Sequence, residues 1–208
     1  MTWQSNDSSV AVVGSDGVIT AVAEGWAYIS VRTDNYCSDE IEVEVLPTPE
    51  SVKLNKTKAT LGIKEKLALK VSLTPADATT TLTWKSSNPK VAAVTKKGVV
   101  VGRKVGKAVI TVMAANGRAA EATITVKAAP DSVTLSKSGT VTLKRGKTLK
   151  LKATLPKKTA SALTWKSSKP KIASVDQKGV VRALKKGTAV ITVKTFNGKT
   201  AKVTIKVK

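Results

Sequence analysis

The chain has 208 residues, with 36 Lys and Arg against 14 Asp and Glu, a formal net charge of +22, a single Cys and no His. Without His it lacks the commonest general base and the commonest metal ligand, and Cys37 alone can build neither an intrachain disulfide nor a cysteine-based zinc cluster. Cys37 also has no evident partner base, so it reads as incidental, its one alternative use being an intermolecular disulfide.

A fixed period of 81 residues organises the sequence. Trp3, Trp84 and Trp165 fall at one phase, as do Gly17, Gly98 and Gly179, then Gly25, Gly106 and Gly187, then Val45, Val126 and Val207. Each repeat is therefore read as one folding unit, and about 80 residues is the size of a small domain. The chain divides into an incomplete repeat at 1–46, of which only the C-terminal portion is present because Met1 aligns with Leu82, and complete repeats at 51–127 and 132–208.

In the first segment Trp26 and Tyr28 alternate with Ala27, Ile29 and Val31, at positions held by Lys107 and Val109, then Thr188 and Val190, in the complete copies. Period-two alternation places the aromatics on the outward face. Trp26 and Tyr28 are thus candidate surface contacts, read as packing on a neighbouring domain in preference to stacking on a sugar. The strands missing from this segment would have paired with those that remain, and unpaired edges favour association. The segment is expected to be poorly ordered alone, or completed by strands of another molecule through self-association.

The linkers at 46–50 (LPTPE) and 128–131 (AAPD) are short and contain Pro, which predicts limited bending and an extended row of modules. LPTPE departs from the LPxTG wall-sorting pattern at its fourth and fifth positions. Glu50 and Asp131 precede consecutive repeats, but one carboxylate per joint is a poor hard-cation site, so solvated linkers are expected and neither metal nor cofactor is assigned. With no signal peptide, apolar span or terminal anchor in the segment, the expectation is a piece of a longer exported protein and no membrane insertion here.

Both complete repeats read as strand throughout. In the last copy Leu149, Leu151, Ala153 and Leu155 alternate with Lys150, Lys152 and Thr154, and Ala201, Val203, Ile205 and Val207 with Lys202, Thr204, Lys206 and Lys208. Strands are predicted near 132–136, 140–144, 147–155, 162–167, 171–175, 179–183, 187–195 and 199–207. Asn-Gly at 116–117 and at 197–198 is predicted to join the last two strands of each copy in a two-residue turn. The fold class is all-β: tandem antiparallel β-sandwiches with Greek-key connections. Trp3, Trp84 and Trp165 are the predicted structural core, with Trp84 and Trp165 buried against the Ala-x-Ile-x-Val strand of their own copies.

The strings GVVVGRKVGKAVITV (98–112) and GVVRALKKGTAVITV (179–193), preceded by TWKSSNPKVAAV and TWKSSKPKIASV and opened by SVKL and SVTL, resemble bacterial immunoglobulin-like domains of group 2. The resemblance covers both complete repeats and extends to GVITAVAEGWAYISV (17–31). It implies surface or secreted bacterial proteins in which such modules act as stalks, adhesive units or spacers, and it implies no chemistry.

Charge is segregated. Residues 1–50 hold one basic and nine acidic residues, net −8, and the remainder is net +30. Such a field attracts polyanions within a Debye length of about 8 to 10 Å. Nucleic acid is a poor fit, because only Arg103, Arg118, Arg145 and Arg182 accompany the lysines and stacking aromatics are scarce. The reading is a non-enzymatic stalk or adhesion module, extracellular, with diffuse affinity for anionic cell-wall or envelope polymers or glycans. The alternative is an accessory glycan-binding or spacer module of an exported carbohydrate-active enzyme.

Overall fold

The computed structural model describes all 208 residues, which form strands, turns and bends and no helix. Residues 1–55, 71–83 and 112–120 make one compact unit, and residues 56–70, 84–111 and 121–208 the other. The strands are short and turn-bounded, as alternating sequence with frequent Gly and Asn requires.

The first repeat contributes β1 (Thr2–Ser5), β2 (Ala11–Val13), β3 (Ile19–Ala21), β4 (Gly25–Arg32) and β5 (Ser38–Val45). The second contributes β6 (Ser51–Leu54), β7 (Lys58–Gly62), β8 (Lys66–Ala68), β9 (Val71–Thr74), β10 (Leu82–Ser86), β11 (Ala92–Val94), β12 (Val99–Gly102), β13 (Gly106–Ala114) and β14 (Ala119–Lys127). The third repeats that series as β15 (Thr134–Leu135), β16 (Thr140–Leu143), β17 (Thr148–Lys150), β18 (Ala153–Thr154), β19 (Leu163–Ser167), β20 (Ala173–Val175), β21 (Val180–Ala183), β22 (Gly187–Thr195) and β23 (Thr200–Val207).

In the third repeat a four-stranded sheet ordered β16-β23-β22-β19 faces a three-stranded sheet ordered β17-β21-β20, with β15 and β18 paired beside them. Between the sheets lies a core that includes Leu151, Trp165, Val181, Ile191, Val193 and Ile205. The second repeat has the same orders, β10-β13-β14-β7 and β11-β12-β8, with β6 on β9. The chain is therefore an all-β series of Ig-like sandwiches. Lys202 and Lys206 stay in solvent on β23 while Val203, Ile205 and Val207 are buried. One alternation in sequence thus supplies both the core and the basic outer face.

Three local features differ from the sequence expectation. The run 147–155 is not one strand: β17 pairs with β21 and β18 with β15. The chain changes sheets where the Leu151 amide donates to Gly179 O at 2.9 Å and the Lys152 amide to Ser136 Oγ at 3.0 Å. Alternation continues unbroken through that switch, so the sequence hides it. The ladder between the first and last strands of the main sheet is parallel, β7 on β14 and β16 on β23, within otherwise antiparallel sheets. Finally, only the Gly of each Asn-Gly pair has positive φ, +83° at Gly117 and +90° at Gly198. Both central residues of a type I′ turn need positive φ, so these hairpins use a longer loop closed by one left-handed Gly.

The Gly of the KKG and QKG turns is required twice over. Gly179 has φ of +78°, and a Cβ built there would sit 2.7 Å from Leu151 O and 2.9 Å from Trp165 Cζ2. Left-handed backbone costs an L-residue about 1 to 2 kcal/mol before any clash. Gly179→Ala is expected to lower stability by at least about 2 kcal/mol, read from the urea midpoint. A change under half that value would mean that the turn relaxes freely.

Candidate functional site

The three phase-equivalent Trp residues are placed unequally. Trp165 is 7% exposed and belongs to the core of its repeat, directly across from Val193 on β22. Trp84 and Trp3 are half-buried, and each lies against the Gly of its own turn, Gly98 or Gly17. Gln177 adds to the difference. Its side-chain amide accepts from Trp165 N and donates to Trp165 O, both at 3.1 Å, whereas Lys96 and Ser15 stand at that phase in the other copies.

On β4, Ala27 and Ile29 are buried, while Trp26 and Tyr28 project from the opposite face with 54% and 43% exposure. Cross-strand pairing sets Trp26 opposite Glu44, Tyr28 opposite Glu42 and Ser30 opposite Glu40 on β5. The Tyr28 hydroxyl donates to Glu42 Oε1 at 2.9 Å. That bond, reinforced by the negative charge of Glu42, holds the phenol proton above the ordinary tyrosine range. Beside Trp26 opens a cavity of about 480 Å³ whose lining includes Glu24, Glu44, Leu46, Pro47 and Asp77. An indole among three carboxylates suits cationic or hydroxyl-rich groups and repels anions. The sequence-predicted pair is thus brought together with acids that were not singled out.

Cys37 is exposed and free. No group of three or more His, Cys, Asp or Glu side chains is placed to hold a metal ion, and Glu50 and Asp131 lie exposed in their linkers. No helix is long and apolar enough to cross a membrane.

What fastens the linkers is a pair of residues read from sequence only as turn formers. Asn116 Nδ2 donates to Pro49 O at 2.8 Å, and Asn197 Nδ2 donates to Pro130 O at 2.7 Å. Each repeat therefore holds the linker that leads into it with the Asn of its last hairpin. A second fastening was invisible in sequence. Glu65 is 4% exposed, and its carboxylate accepts from Gly62 N at 2.7 Å and from Ala162 N, in the following repeat, at 2.6 Å. Gly62 lies so close that a Cβ there would be 2.5 Å from Ala160 O. Gly146 occupies the Glu65 phase in the third copy.

A search of curated proteins finds similar stretches in three. Lacto-N-biosidase of Bifidobacterium bifidum is 44% identical over 71 residues, 34% of this chain and 6% of that protein. An uncharacterized protein of Clostridium acetobutylicum is 32% identical over 121 residues, 57% of this chain and 12% of that protein. Ice-binding protein 1 of Shewanella frigidimarina is 25% identical over 203 residues, 91% of this chain and 22% of that protein. The chain thus spans less than a quarter of each relative. Among solved structures, domains 1–6 of surface layer protein SbsC align over 99% of this chain and 34% of theirs, at 19% identity and a TM-score of 0.34. The family model for the bacterial Ig-like domain (group 2) matches residues 49–126 and again 129–207. The chain belongs to the bacterial Ig-like domain (group 2) family.

Proposed function

We propose that the chain is a non-catalytic surface or spacer module of an exported bacterial protein, its two complete repeats, 51–127 and 132–208, presenting lysine-rich faces with diffuse affinity for anionic envelope polymers. The observation that carries this reading is the placement of charge on a tandem of this family. Lysines occupy the solvent positions of strands whose alternate residues are buried, as on β23, so the charge is spread along the outer face. Localisation at the cell surface or in the medium belongs to the same proposal and is supported by the family match.

Diffuse attraction has a recognisable signature, because each neutralised phosphate releases counterions and affinity falls linearly with salt on a logarithmic scale. Binding to teichoic acid is expected to drop roughly 100-fold or more between 50 and 200 mM salt. Any single Lys→Gln change should alter it by less than about threefold, the share of one contact among several. Calorimetric titration would measure both. Salt-insensitive binding abolished by one substitution would replace this reading with a formed site.

The lacto-N-biosidase similarity favours a second reading, a module accessory to an exported enzyme. Under that reading the acidic-aromatic face of β4 and β5 is the contact for glycan or catalytic domain. The full reading frame separates the two, since a catalytic domain in the same chain supports the second.

A further inference from the structure

Where β13 begins and β14 ends, the second repeat has a recess of about 440 Å³ with Gly106 and Val126 in its wall and three lysines around it. Lys107 is the second residue of β13 and Lys127 the last of β14. Lys158 comes from a turn whose Ala160 amide donates to Ala128 O at 3.0 Å, one residue beyond Lys127. Lys158 has φ of +62°, left-handed backbone that a non-Gly residue keeps only where its surroundings hold it.

Three ammonium groups around one recess repel one another, and nothing on their own strands offsets them. None of the three forms a salt bridge. No acid lies on β13, and the one acid of β14, Glu121, is six residues from Lys127, about 20 Å along a strand. An entering anion relieves the repulsion and gains charge-assisted hydrogen bonds.

The same recess recurs one period earlier with the opposite character. Subtracting 81 from Val105, Lys107, Thr125, Lys127 and Lys158 gives Glu24, Trp26, Glu44, Leu46 and Asp77, which line the cavity of about 480 Å³ beside Trp26. Gly25 and Gly106 keep their type, as do Val45 and Val126, so the recess belongs to the fold and its charge to the residues around it. No cation lines the first recess and no acid the second.

We propose that the recess of Lys107, Lys127 and Lys158 seats a phosphodiester group of a polyol-phosphate polymer, its oxygens among the ammonium groups and its carbon chain over Gly106 and Val126. Lysine is a point charge with rotatable donors, which suits a tetrahedral phosphate approached from three sides. A single polymer strand can enter a recess, whereas the headgroups of a flat bilayer meet the outer sheet faces first. The inference rests on the reading of the lysine faces as anion-binding and adds a preferred place within them.

Two triple variants with the same change in net charge test it. K107Q/K127Q/K158Q strips the recess of cations, and K137Q/K152Q/K202Q removes three exposed lysines elsewhere in the chain. Calorimetric titration of the full chain with poly(glycerol phosphate) at 50 mM salt is expected to show at least about tenfold weaker binding for the first variant than for the second. K107R/K127R/K158R keeps the charge and should stay within about threefold of the native affinity. In the native chain the polymer should shift the amide resonances of Gly106 and Val126 and leave those of Gly25 and Val45 in place. Vesicles containing phosphatidylglycerol should lose affinity equally in both glutamine variants. Equal losses of polymer binding in the two, or shifts at Gly25 matching those at Gly106, would overturn the recess and leave diffuse attraction standing. Vesicle binding lost in the first variant alone would replace the polymer with a lipid surface. A native chain that binds no polymer at 50 mM salt would remove both the recess and the diffuse attraction.

Discussion

Trp165→Ala is expected to destabilise the chain by about 3 to 5 kcal/mol, the usual cost of emptying a buried aromatic site. The ring is in the core cluster, and Gly179 packs so closely on its edge that no side chain could follow it into the space. The Gln177 amide, bonded to both backbone groups of Trp165, would remain and hold the strand in place, limiting collapse into the void. Trp84→Ala should cost less, because that ring is half-buried and therefore has less apolar area to lose. Urea unfolding of the two variants would measure the difference. Equal losses, or a Trp165 loss below about 1 kcal/mol, would mean that the core does not rest on the indole.

Glu65→Ala is expected to cost about 2 to 6 kcal/mol, since it strands two backbone donors, Gly62 N and Ala162 N, at about 1 to 3 kcal/mol each. Glu65→Gln keeps a single acceptor oxygen and turns its NH₂ group toward the other donor, so an intermediate loss should follow. The distinguishing measurement is local. Amide exchange at Ala162 should accelerate in the alanine variant more than exchange at Ile191, which lies deep in its own sandwich. Uniform acceleration, or none, would show that the carboxylate does not hold the two repeats together.

What sequence could and could not show divides along a physical line. Periodicity in residue type reveals which face of a strand is buried, so the outward placement of Trp26 and Tyr28 and the inward placement of Ala27 and Ile29 were legible. Identity of phase misled where environments differ. Trp3, Trp84 and Trp165 share a phase, yet only Trp165 is buried, because phase carries no information on the surrounding residues that differ between copies. Long-range polar bonds were illegible for another reason. Asn116 and Asn197 reach linker carbonyls 67 residues away, and Glu65 reaches an amide 97 residues away. No local pattern encodes such distances, and the turn chemistry of Asn-Gly already accounted for the residue type. The switch of sheets within 147–155 was hidden because alternation records which side is wet, and the partner strand leaves no trace in it.

The parallel pairing of β7 with β14 and of β16 with β23 matters once a repeat is pulled by its two ends. These strands lie near the start and finish of their repeats, so tension draws them in opposite directions along their common axis. The bridging bonds then bear the load together in shear, as with Thr123 to Thr57, Ile63 to Lys127, Thr204 to Gly139 and Lys208 to Leu143. Antiparallel neighbours opened from one end would instead lose their bonds in succession, like a zip. Each complete repeat therefore carries a mechanical clamp across its termini.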